Sequence, residues 1–212
     1  MSRSRAHTAG MTGSRRRRGE KWHRLEPTAV VDLDGFAATI DPTRLDPDQF
    51  VQLIATLDML GTAGTGIELA GMSTETFAHF FARTSTDQLE ALMAHPRLRH
   101  VVFDEVFRRM SAHLDLTKAA DLRAVVHWRF TGGSGEGGYD RFETVIARGT
   151  CTTADIPTAD PRVTITADPP DFLRAVTGGA TLPKLFISGK VKVRGDIAFA
   201  ATLTNYFDLP QV

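Results

Sequence analysis

Cysteine is almost missing from this chain: the 212 residues contain one, Cys151. A single thiol excludes an intramolecular disulfide and any metal site built from several cysteines. It suits a reducing compartment. Long apolar runs are missing too. None approaches the roughly 20 residues needed to span a bilayer, and the basic N-terminus lacks the apolar stretch of a secretory signal. The chain therefore reads as soluble and cytoplasmic. Charge of one sign is not in excess: 25 Lys plus Arg stand against 25 Asp plus Glu, for a formal net charge of zero. That balance lacks the electrostatic footprint of a nucleic-acid-binding domain, so no nucleic-acid partner is expected. The seven histidines are scattered. His95 and His100 stand five apart, a poor spacing for joint ligation from one helix face, and nothing in the sequence sets a base beside Cys151. No metal, cofactor or catalytic residue is expected.

What is present is ordinary globular material. Hydrophobic residues make up 42% and charged residues 24%, enough for a sizeable core with apolar surface left for a ligand. Residues 1–26 read as a disordered basic tail. They are poor in apolar side chains and carry Arg15-Arg16-Arg17-Arg18, a run that could touch anionic lipid or nucleic acid but reads first as a solvated tail.

Residues 27–118 read as a helical segment. Asp46, Pro47 and Gln49 form an N-cap, a first-turn proline and a capping-box partner. Phe50, Leu53, Ile54, Leu57 and Leu60 follow at helical spacing, and Gly61, Gly64 and Gly66 end that helix. A second helix starts near Ser73 and buries Phe77, Phe80 and Phe81. Ser85 with Gln88 caps a third. Pro96 opens a fourth, whose apolar face is Val102, Phe103, Val106, Phe107 and Met110. These stripes are too apolar to stay in water and have three outlets: a bundle, docking on the second half of the chain, or a homodimer interface. The stretch 115–121 has no Pro or Gly hinge, which favours docking.

The period changes after Leu116. Val126, Trp128 and Phe130 alternate with Val125, His127 and Arg129, the mark of a half-buried strand with His127 and Arg129 toward solvent. Phe142, Thr144 and Ile146 alternate with Glu143, Val145 and Ala147 in a second. A third lies over 150–156, a fourth at Val163 and Ile165, and a fifth at Val191 and Val193. Short helices carry Phe172, Leu173 and Val176, then Leu182, Leu185 and Phe186, then Ile197, Ala200 and Leu203. An early run of strands with late helices indicates an α+β fold.

The stretch Val163-Thr164-Ile165-Thr166-Ala167-Asp168, then Asp171-Phe172-Leu173 and Gly178-Gly179, resembles the middle of the sterol carrier protein type 2 family. So does Leu185-Phe186-Ile187-Ser188-Gly189-Lys190-Val191-Lys192-Val193-Arg194-Gly195-Asp196, with a helix behind it. The resemblance covers roughly residues 119–212. It implies a five-stranded, mainly antiparallel sheet covered by helices, preceded here by the extra helical segment, with an apolar tunnel between helices and sheet. It also implies a lipid ligand (sterol, fatty acyl or isoprenoid), transient membrane contact and no catalysis. Carried over by position, the tunnel walls are Phe172, Leu173 and Val176, then Leu182, Leu185 and Phe186, then Ile197, Ala200 and Leu203. Val126, Trp128, Phe130, Phe142 and Ile146 form the floor. Some relatives assist isoprenoid-quinone biosynthesis, so an accessory module with a filled cavity is the alternative. The C-terminal Pro210-Gln211-Val212 lacks the peroxisomal tripeptide of some eukaryotic members, and the composition has a bacterial style.

One further motif points elsewhere. Val30-Val31-Asp32-Leu33-Asp34-Gly35 resembles the nucleophile loop of haloacid-dehalogenase-type phosphatases, where two aspartates and Mg²⁺ transfer a phosphoryl group. That reading needs a doubly wound sheet after Asp34, and the pattern there is helical. The plain reading is a polar turn ahead of the first helix. Gly132–Gly138, although glycine-rich, lies between two strands and lacks the helix N-terminus that a phosphate cradle requires.

Overall fold

The computed structural model describes residues 32–65 and 67–210. The basic tail over 1–26, Val30-Val31, Gly66 and Gln211-Val212 lie outside the described residues.

The first helix is one that the apolar pattern does not reveal. Asp32, read as part of a polar turn, caps α1 (Leu33–Thr39), its Oδ1 accepting from the Gly35 N–H at 2.9 Å. Only Leu33 and Ala37 of this helix are buried, too short a stripe to show a period. The next helices follow their caps. Asp46 and Gln49 close the capping box of α2 (Pro47–Thr62). Gly61 does not end that helix. It ends after Thr62, where the Thr65 N–H donates to the Leu60 carbonyl and the Gly64 N–H to that of Gly61. That is a Schellman turn, and it requires the left-handed Gly64, at φ +72°. Ser73 caps α3 (Thr74–Ala82), Ser85 and Gln88 box the start of α4 (Thr86–Met93), and Pro96 opens α5 (Pro96–Ala112).

Five strands come next: β1 (Arg123–Thr131), β2 (Tyr139–Ala147), β3 (Thr150–Ala154), β4 (Val163–Ala167) and β5 (Val191–Gly195). They form one sheet in the order β3-β2-β1-β4-β5. Every neighbouring pair is antiparallel except β1 with β4. Between β4 and β5 run α6 (Pro169–Val176) and α7 (Leu182–Ile187); α8 (Ile197–Thr202) comes after β5. The fold is the mixed α+β arrangement expected, a mainly antiparallel sheet preceded by helices.

One core runs through both halves of the chain. The stripes of the first helices take two of their three outlets. Phe50 of α2 packs with Phe80 and Phe81 of α3, making a small bundle. Helix α5 lies on the sheet, with Phe103 4.2 Å from Phe130 and Phe107 5.0 Å from Phe142, centroid to centroid. Beyond α5 the chain is stitched to its own C-terminal segment: Asp115 N–H donates to the Tyr206 carbonyl, and Asp208 N–H to that of His113. Helices of this length are marginal alone, and here they are held by burial against the sheet and one another.

Buried Arg109 on α5 anchors the turn before α3. Its guanidinium donates to the carbonyls of Leu69 and Met72 at 2.8 and 3.0 Å, pairs with Glu105, and lies 4.1 Å over the Phe77 ring.

Candidate functional site

The sheet presents two unlike faces. One carries the side chains expected as a tunnel floor, and most of that floor is occupied by protein. Trp128, Phe130, Phe142 and Phe172 form an aromatic cluster with Phe103 and Phe107 of α5. Phe107 is 5.8 Å from both Trp128 and Phe172, and Phe130 is 4.7 Å from Phe172. The one polar atom of the Trp128 ring is satisfied, its Nε1–H donating to Thr144 Oγ1 at 2.9 Å. Val126, Ile146, Leu173, Leu185 and Leu203 are buried in the same core. Val176 faces a small space on the far side of α6, shared with Phe77 and Val106.

Open space lies at the β5 edge. There α7, α8, β4 and β5 form a cleft of about 110 Å³ that is partly open to solvent. Of the expected wall residues, Leu182, Phe186, Ile197 and Ala200 line it. Six more that were not expected as walls line it too: Ile165, Pro183, Ile187, Val191, Val193 and Ala201. The signal for Val191 and Val193 was present in their alternation with Lys192 and Arg194. The signal for Ile165 was its register: it pairs with Val193 across β4–β5, so both point to one face. No lining residue is titratable, so the cleft offers contact area rather than acid–base chemistry.

Two glycines shape the cleft. Helix α7 ends in a second Schellman turn, with the Lys190 N–H on the Leu185 carbonyl at 2.9 Å and the Gly189 N–H on that of Phe186 at 3.0 Å. Gly189 sits at φ +75°, and this turn throws the chain directly into β5. At the other end of β5, Gly195 lies at φ +101°, and a Cβ there would stand 2.5 Å from the Arg162 carbonyl oxygen. The close approach lets the Asp196 N–H reach that same oxygen at 3.0 Å. The Asp196 carboxylate then caps α8 by accepting from the Phe199 N–H at 2.8 Å and pairs with Arg162 at 2.9 Å. Its pKa is lowered, first by the Phe199 N–H and then by Arg162. Lys190 reaches Asp171 of α6 at 2.8 Å. The Gly-Lys and Gly-Asp of the sequence motif are thus turn and cap devices that set α7 and α8 across the sheet.

The opposite face is polar, though less open than the alternation implied. His127 is half-buried rather than solvent-facing, because its Nε2 lies 3.2 Å from the buried Glu143 carboxylate. That carboxylate also accepts from the Thr158 and Ala159 N–H groups and the Thr158 hydroxyl, at 2.9–3.0 Å. Its pKa is held down to about 2, chiefly by the Ala159 N–H; burial opposes the shift, and the Thr158 and His127 contacts support it. The sequence pattern does not reveal this anchor because Thr158 and Ala159 sit in a loop without period.

Other candidate chemistry has structural work. Asp32 caps α1, and Asp34 accepts from the Ser73 N–H at 2.9 Å, the contact that most lowers its pKa. The chain after Asp32 forms helices α1–α5, with no doubly wound sheet among the described residues. Cys151 is buried, and burial raises its pKa. No described helix is long and apolar enough to cross a membrane.

Comparisons with known proteins match from half to most of this chain. No curated protein matches it. Among solved structures, sterol carrier protein 2 from Yarrowia lipolytica in its apo form is 20% identical, with a TM-score of 0.40 over 56% of this chain and 98% of its own. A UbiJ-SCP2 ubiquinone synthesis protein is 18% identical, with a TM-score of 0.39 over 52% of this chain and 88% of its own. The stereoselective inverting sec-alkylsulfatase Pisa1 from a Pseudomonas species is 15% identical, with a TM-score of 0.43 over 89% of this chain and 33% of its own. The decisive match is to a family. The SCP-2 sterol transfer family matches residues 103–208, half of the chain, starting inside α5 and running through every strand and the whole cleft. The chain belongs to the SCP-2 sterol transfer family.

Proposed function

We propose that this protein binds an apolar lipid segment in the cleft between α7, α8 and the β4–β5 edge, and carries or presents it without chemistry. The observation that carries the reading is the wholly apolar lining of that cleft in a chain of this family. Its enclosed volume of about 110 Å³ is below the about 300–1,000 Å³ usual for whole ligand sites, so it takes one segment of a lipid and leaves the remainder at the open mouth. Each Å² of apolar ligand surface withdrawn from water contributes ~25 cal/mol, so walls without polar groups suffice for affinity. Leu182, Phe186, Ile197 and Ala200 are the ligand contacts in this reading, with Ile165, Ile187, Val191 and Val193 beside them. The carrier unit takes in α5, and the helices before it buttress that unit. A sterol, an acyl chain and an isoprenoid all meet the same requirement, because apolar walls discriminate weakly, by about 1–3 kcal/mol per methylene.

One observation favours a second reading, an accessory module with a filled cavity. Phe103 and Phe107 already cover the aromatic floor. The cleft at the β5 edge remains open even so, which favours carriage. Native mass spectrometry of protein purified without detergent, followed by solvent extraction, is the test. Lipid is expected to copurify, or a fluorescent fatty acid to bind stoichiometrically. Ala201→Trp, at an exposed cleft position, is expected to abolish that binding while leaving the fold intact. An empty protein that refuses acyl, sterol and polyprenyl probes would transfer the case to the filled module.

A further inference from the structure

The mouth of the cleft is exposed apolar surface. Ile187 is 85% exposed, Ile197 52% and Phe186 41%, and all three line the same cleft. The segment 181–195 also carries Lys184, Lys190, Lys192 and Arg194 and not one Asp or Glu. The carboxylates nearby are already engaged, Asp171 with Lys190 and Asp196 with Arg162. Among the described residues, Lys184, Lys192 and Arg194 are exposed and have no carboxylate partner.

Strand β5 is the edge of the sheet, so its alternation sends Val191 and Val193 into the cleft and Lys192 and Arg194 to the other face. A surface meeting this edge meets both sets at once. An apolar mouth with unpaired cations beside it complements an interface that is apolar inside and anionic at its rim. The apolar side chains enter the headgroup–acyl boundary while the cations stay at the level of the phosphates. A second copy fits less well, because pairing along β5 would set Lys192 and Arg194 against their own counterparts, and charged edge strands oppose such pairing.

We propose that the α7–β5 edge is a docking surface for an anionic lipid bilayer. It sets the cleft mouth against the membrane, so that a lipid passes between bilayer and cleft without crossing water. The proposal rests on the lipid-binding reading above and adds to it where, and on what charge of membrane, cargo is exchanged.

The test uses the full chain with Arg15, Arg16, Arg17 and Arg18 replaced by Gln, so that this run contributes nothing. Flotation with equimolar phosphatidylglycerol–phosphatidylcholine vesicles is compared with phosphatidylcholine alone, at low and high salt. Each Lys or Arg near an anionic surface is worth about fivefold in affinity, so Lys184→Gln/Lys192→Gln/Arg194→Gln is expected to lose about a hundredfold. None of the three lines the cleft, so fatty-acid probe binding in vesicle-free solution is expected to be unchanged. Ile187→Ser, at an exposed position that will not unfold the chain, is expected to weaken vesicle binding further. Equal binding to neutral vesicles, full binding by the triple variant, or a β5-edge dimer in sedimentation would each overturn the proposal. Charge-dependent flotation of a protein that takes up no probe would retain the docking surface and overturn the lipid reading instead.

Discussion

Truncating Phe107 tests whether the sheet floor is core or ligand site. Its ring touches Trp128, Phe130, Phe142 and Phe172 at centroid distances of 5.0–6.4 Å, and the side chain is 3% exposed. Phe107→Ala removes the ring and leaves a cavity walled by four aromatic side chains, all of them buried. Phe→Ala substitutions in such cores cost about 3–5 kcal/mol, part transfer free energy and part cavity. Lost aromatic pairing adds about 0.5–1.5 kcal/mol per pair, which puts the expectation at the upper end of that range. Guanidinium denaturation of lipid-stripped protein measures it. Adding a long-chain fatty acid then separates the two readings. If the new cavity joins the cleft, the variant recovers stability as RT ln(1 + [L]/Kd), about 2.7 kcal/mol at a hundredfold excess over Kd, and recovers more than the parent gains. If the floor is closed core, the variant stays destabilised at every ligand concentration. A loss below about 1 kcal/mol in the stripped variant would refute the reasoning, since it would mean that Phe107 does not fill that space.

Glu143 and Gly195 give independent checks. Glu143 titrates at about 2 in the folded protein against 4.5 in a model peptide, so its charged form contributes roughly 3 kcal/mol above pH 4.5, lost as pH falls toward 2. Glu143→Gln should therefore destabilise at neutral pH, with the gap to the parent closing between pH 4.5 and pH 2; a constant gap across that window would show that the charge is not what holds the 158–159 loop. Gly195→Ala should cost about 1–3 kcal/mol in backbone strain plus the clash with the Arg162 carbonyl, and should loosen α8 and weaken probe binding. Gly64→Ala, left-handed but with open space around it, should cost less and leave probe binding alone.

Periodicity and punctuation determined most of the elements. Asp46 with Gln49 and Ser85 with Gln88 close their boxes because a cap is local chemistry, complete within four residues. The alternation of Trp128 and Phe142 placed both on the buried face, since a strand has only two faces. The motif around Gly189-Lys190 and Gly195-Asp196 identified the family because those turns need glycine whatever surrounds them. Helix α1 escaped, its two buried side chains being too few to show a period. Tertiary structure decided what the patterns left open. An apolar stripe reads the same whether a ligand or a helix covers it, so only the packing reveals that Phe103 and Phe107 cover the floor. The same holds for the wall residues: Leu182 and Leu185 share a helix and a chemistry, yet one lines open space and the other is core. The parallel pairing of β1 with β4, and the loop N–H groups that hold Glu143, join residues distant in sequence. Such pairings are set by how the whole chain closes on its core, and no local pattern encodes them.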